Sequence, residues 1–89
     1  MKPHPNQKRR AGRSFNGIDK ETGYAVRFEM TRQDWWASKP NAFPAYSLAN
    51  SLRTVRRHTN EAIHYSIDAA VESGRPIPAP EWQPTSIPN

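Results

Sequence analysis

At 89 residues, 35% of them hydrophobic and nine of them proline, the chain is one domain near the lower size at which an apolar core alone holds a fold together, so an obligate partner or a homodimer is expected. It has no cysteine, which excludes disulfide staples, thiolate zinc sites and a cysteine nucleophile and fits a reducing compartment. The formal net charge is +5, and no stretch approaches a signal-peptide core or the roughly 20 apolar residues of a membrane span, so a soluble, cytoplasmic protein is expected.

Lys2, Lys8, Arg9, Arg10 and Arg13 crowd the first thirteen residues, which contain no acidic residue. Their Pro, Asn, Gln and Gly neighbours cannot bury enough apolar surface to order the segment, which predicts a flexible basic arm over residues 1–12. Two readings stay open. The arm is a solubilising tail, or Lys8, Arg9, Arg10 and Arg13 contact nucleic-acid phosphates by counterion release or an acidic protein surface through the same charges.

From Arg13 to Met30 the pattern is that of a hairpin. Tyr24, Val26 and Phe28 alternate with Ala25, Arg27 and Glu29, the period of a strand buried on one face. Phe15 and Ile18 supply the preceding strand, and Gly23 is available for a positive φ in the connection. Two strands alone are marginal, so their apolar face needs cover.

Thr31 followed by Asp34 resembles a capping box, and Pro40 stops a helix by Lys39, which predicts one or two helical turns between them. Adjacent Trp35 and Trp36 cannot both face one core, so one covers the core and the other lies near the surface as a candidate anchor for a partner protein or a base. Residues 41–46 are a candidate third strand with Phe43 and Ala45 on one side, restricted by Pro44 to an edge.

A long helix then begins at Ser47 or Ser51, either of which can cap it, and ends at Ser73 or Gly74. Leu48, Leu52, Val55, Thr59, Ala62, Ile63, Ser66 and Ala70 form its sheet-facing stripe. The far face offers the i,i+4 pairs Arg57–Glu61 and His64–Asp68. Arg53, Arg56 and Arg57 precede Asp68 and Glu72, a gradient opposed to the helix dipole. That order points to a positive patch for an acidic groove or phosphates, with an ordinary solvated face as the alternative. Pro76, Pro78 and Pro80 make the exit extended.

This helix and its exit resemble the C-terminal part of small HicB-type antitoxins, on Ser51, Leu52, Val55, Glu61, Ala62, Ile63, Ile67, Ala69, Gly74, Pro76, Ile77, Pro78 and Pro80. The acidic-glycine turn from Asp19 to Gly23 and the strand to Phe28 look like the family's first hairpin. The resemblance implies a partial ribonuclease-H-like fold and an antitoxin that covers the active surface of a small toxin ribonuclease.

The histidines His4, His58 and His64 lack metal-ligand spacing, and no phosphate loop or activated serine is present. The expected protein is therefore non-enzymatic and free of cofactors. It is an α+β domain over residues 13–80, a two- or three-stranded antiparallel sheet on one long helix, followed by a C-terminal tail at 81–89. Its expected partner contacts are Arg53, Arg56, Arg57, Trp35 and Trp36. The partner is a toxin ribonuclease or, for a small phage or mobile-element inhibitor, a nucleoprotein complex; simple nucleic-acid binding is the third reading.

Overall fold

The computed structural model describes residues 13–81, so the basic arm with Lys8, Arg9 and Arg10, and residues 82–89, lie outside the described residues. The chain runs β1 (Ser14–Ile18), β2 (Ala25–Met30), β3 (Trp36–Pro40), β4 (Ser47–Ala49) and α1 (Leu52–Ser73). The strands form one antiparallel meander in the order β1-β2-β3-β4, and α1 packs back across β3 and β4. This is an α+β fold with four strands rather than two or three.

The first hairpin forms as its alternation requires. Gly23 closes the connection at φ 85°, a left-handed conformation open to glycine at little cost. Val26, Phe28 and Met30 point to the helix, and Arg27 and Glu29 point away.

The expected helical turns after Thr31 do not form. Residues 31–35 instead make a hairpin loop in which the Thr31 N–H donates to the Trp35 carbonyl and the Trp35 N–H donates to Thr31 Oγ1, with Asp34 at φ 64°. The difference has a local cause. A threonine that accepts a backbone N–H a few residues on starts a helix and a turn alike, and tertiary pairing of Trp36 with Met30 selects the turn. Pro40 ends a strand, not a helix. Odd-numbered residues here bond to β2, as the Asn41 N–H to Ala25 carbonyl bond shows, so the N–H that proline lacks would point past the end of β4.

The short strand lies at Ser47–Ala49, after the segment 41–46 expected to hold it. Phe43 is still buried, against Tyr24 at 4.9 Å between centroids. Leu48 belongs to β4 rather than to the helix stripe.

Ser51 is the helix cap, extended at φ −142° and ψ 153°, and its Oγ accepts the Thr54 N–H at 3.1 Å. Val55, Thr59, Ile63 and Ala70 form the buried stripe. Gly74 closes the helix at φ 70°, ψ 20°, and a Cβ there would meet nothing within 4 Å. Gly74→Val is therefore expected to lower stability by about 1–2 kcal/mol through backbone strain alone. Chemical denaturation measures this, and an unchanged midpoint would remove Gly74 from that role.

Beyond Gly74 the chain turns back to the hairpin. The Tyr24 hydroxyl donates to the Pro78 carbonyl, and the Ala25 N–H donates to Glu81 at 2.9 Å. Burial, and then the nearby Glu81 carboxylate, push the Tyr24 hydroxyl above its ordinary pKa. The exit is thus a tether between the helix end and the start of β2. Among the described residues no helix is long and apolar enough to cross a membrane.

Candidate binding surfaces

One helix covers one face of a four-stranded sheet, so the other face is open. Register places Ser14, Glu29, Ala37 and Leu48 in one row of that open face and Asn16, Arg27 and Lys39 in the next. Arg27 and Lys39 stand directly opposite each other. Like charges on a cross-strand pair are unfavourable, and Arg27 turns towards β1, donating to Ser14 Oγ at 3.0 Å and Asn16 Oδ1 at 3.4 Å.

At the β3–β4 end of this face, Trp35, Tyr46 and Leu48 are 42%, 66% and 44% exposed and line a shallow depression with Thr31 and Gln33. Three large apolar side chains brought together in solvent by separate segments form a patch of the kind that anchors partners. Trp36 has the opposite fate. It is buried, 5.8 Å from the Phe15 ring, with the Arg13 guanidinium 5.8 Å above it. Trp36 is the core-covering member of the pair, and Trp35 is the exposed anchor candidate.

On the helix side, Arg53, Arg56 and Arg57 are all exposed in the first half of α1. The Arg56 guanidinium lies 5.6 Å over the Phe28 ring, which itself stacks on Phe15 at 5.0 Å. Arg13 and Arg56 thus cap the aromatic group beside the helix by cation–π contact. Arg56 also lines a cleft with Ile18, Asp19, Lys20, Glu21, Phe28 and Thr59. The three arginines and Trp35 occupy opposite sides of the sheet, so the expected partner contacts are two surfaces and not one.

The far-face pairs expected within the helix do not form either. His64 reaches across to Glu21 in the β1–β2 turn, with Nε2 2.9 Å from Oε1, instead of pairing with Asp68. Asn60 donates to Glu21 and to Asp19, and among the described residues no ion pair joins Arg57 to Glu61. Sequence spacing sees only partners on the same helix, whereas the folded hairpin supplies acceptors from 39 to 43 positions away.

The hydrogen bond with Glu21 raises the His64 pKa, and the bonds from His64 and then Asn60 lower that of Glu21. The His64 contribution to stability is full below its ordinary value of 6.5 and is lost as pH rises through the raised folded value. The Glu21 contribution is full above 4.5 and is lost as pH falls through the lowered folded value. The clasp should be strongest between those limits. An NMR titration of His64 should give a midpoint above 6.5 that Glu21→Gln returns towards it; a midpoint unmoved by that substitution would break the assignment.

Arg27, Lys39, Tyr46 and Leu48 were not among the contacts expected from sequence. Alternation in β2 already turned Arg27 outward, but Leu48 fits a helical period as well as a strand, and only the pairing of β4 with β3 assigns it to the open face. Among the described residues no group of three or more His, Asp and Glu side chains could hold a metal ion. Compared with known proteins, the chain matches no protein-family model, no curated protein and no solved structure.

Proposed function

We propose that this protein is a non-enzymatic binding protein, antitoxin-like or inhibitor-like, that masks a functional surface of a partner protein. The observation that carries the reading is the exposed Trp35, Tyr46 and Leu48 patch on the open sheet face, where Leu48 stands in β4, Trp35 and Tyr46 flank β3 and β4, and Arg27 and Lys39 lie in the adjoining strands. Leu48 is fixed in β4, and Trp35 and Tyr46 directly precede β3 and β4, so the strand pairing places all three side chains before binding, which keeps the ordering cost low. The neighbouring cations favour a partner with an acidic surface around an apolar pocket. The HicB-like helix and exit suggest a toxin ribonuclease as the class of partner.

The helix arginines favour a second reading, a small phage or mobile-element inhibitor that docks on a nucleoprotein complex. The first turn of α1 has no acidic residue and the last has no basic one, the reverse of what the helix dipole prefers. Arg53 therefore presents charge at an electropositive helix start, with Arg57 one turn further along, where an acidic groove or a phosphate route would be attracted.

Affinity capture from the native host, with and without nuclease, followed by measured binding of the purified partner, separates the readings. Trp35→Ala should weaken a protein partner at least tenfold while the circular dichroism spectrum is unchanged. Joint replacement of Arg53, Arg56 and Arg57 by Gln should weaken a nucleoprotein or nucleic-acid partner to a similar degree, with a reduced salt dependence. Affinity unaltered by Trp35→Ala would exclude the open face as the masking surface.

A further inference from the structure

A different part of the molecule, the outer edge of β1, carries an inference that does not depend on the masking function. Hydrogen bonds from the Asp19 N–H to the Tyr24 carbonyl and from the Met30 N–H to the Arg13 carbonyl set the phase of the first hairpin. In that phase Phe15 and Gly17 direct their backbone groups to β2, and Ser14, Asn16 and Ile18 direct theirs outward. Among the described residues no segment pairs with that outer side.

Natural sheets usually blunt such an edge with charge, proline or a bulge. β1, Ser-Phe-Asn-Gly-Ile, has no charge and no proline. Its Ser14 and Asn16 side chains are drawn over the open face by Arg27, which leaves the backbone groups at the edge clear.

We infer that β1 pairs antiparallel with β1 of a second copy of this chain, about a twofold axis through Asn16, to make one continuous eight-stranded sheet. The sequence of the strand is complementary to itself in this register. Asn16 exchanges backbone hydrogen bonds with its own twin, and Ser14 does so with Ile18 of the other copy. Between them, Phe15 falls opposite the other copy's Gly17, which has no side chain to obstruct the ring.

Gly17 already has a reason within one chain, since a Cβ there would approach the Phe28 ring at 3.1 Å. The same bareness keeps the seam open. Arg13 falls opposite Asp19 of the other copy, so unlike charges meet at both ends of the seam, on the helix side, where Arg13 covers Trp36 and Asp19 accepts from Asn60. Moving the register by two residues in either direction separates Arg13 from Asp19 and shortens the ladder. Isologous pairing of this kind is the closed arrangement that homodimers favour.

Such a dimer would carry two Trp35 patches on one face. With strands roughly 4.8 Å apart, the two β3 strands lie about 24 Å from each other and the two β4 strands about 34 Å. A partner that is itself dimeric could be held at two points.

Light scattering across a micromolar dilution series should give twice the 10.2 kDa chain mass, and Asn16→Pro should raise the dimer dissociation constant at least tenfold. Proline at 16 removes an outward N–H and leaves the β2 ladder intact, because Asn16 makes no backbone bond to β2. If that variant fails to fold, cross-linking decides. In a chain without cysteine, Asn16→Cys should join to its twin on mild oxidation, and Ser14→Cys, whose twin lies roughly 13 Å along the seam, should not. A monomeric mass throughout, a dimer unaffected by a folded Asn16→Pro, or equal cross-linking at 14 and 16 would each overturn the proposal.

Discussion

Phe28→Ala is expected to cost about 3–5 kcal/mol, the usual range for emptying an aromatic site in a core. Phe28 is 4% exposed, stacks on Phe15, lies beneath the Arg56 guanidinium and touches the space left bare at Gly17. No neighbour can collapse into that space easily, because Val26 and Met30 are held on the same strand face and Gly17 has no side chain. A domain of this size has roughly 5–10 kcal/mol in total, so the variant should be largely destabilised at 37 °C and poorly expressed. Urea denaturation checks the value. A loss below about 1 kcal/mol would mean that the aromatic group is peripheral to the core rather than part of it.

Thr59→Val should cost about 1–3 kcal/mol although the two side chains have nearly the same shape. The Thr59 hydroxyl donates to the Val55 carbonyl at 2.6 Å, and its oxygen meets the Ser38 hydroxyl in the middle of the helix–sheet interface. Both residues are 1% exposed, so valine would leave the Ser38 hydroxyl buried without its partner. The double variant Thr59→Val with Ser38→Ala removes both polar groups and should recover part of the loss. A double-mutant cycle on denaturation free energies reads this directly. Additive costs would show that the two hydroxyls do not depend on each other.

This hydroxyl pair also explains an apparent anomaly in the helix stripe. Thr59 stands at its centre, where a purely apolar residue would be expected, because β3 brings Ser38 opposite it. Sequence periodicity identified the position as core-facing but could not identify the partner. The same limit applies to His64, whose partner Glu21 lies in the β1–β2 turn.

By itself, the sequence determined what short-range physics controls. Alternation set the face of β2, Gly23 supplied the turn and Gly74 the helix end, because each depends on a residue and its immediate neighbours, whereas the choice of Ser51 over Ser47 as the cap waited on the pairing of β4. The adjacent tryptophans had to part company for the same reason. Tertiary structure decided which one was buried, turned residues 31–35 into a hairpin loop, moved Leu48 from the helix to β4 and placed the arginines and Trp35 on opposite sides of the sheet. These outcomes depend on strand pairing, in which hydrogen bonds and burial are gained only once distant segments meet, and local preference for a turn, a helical start or a strand is too small to choose among them alone.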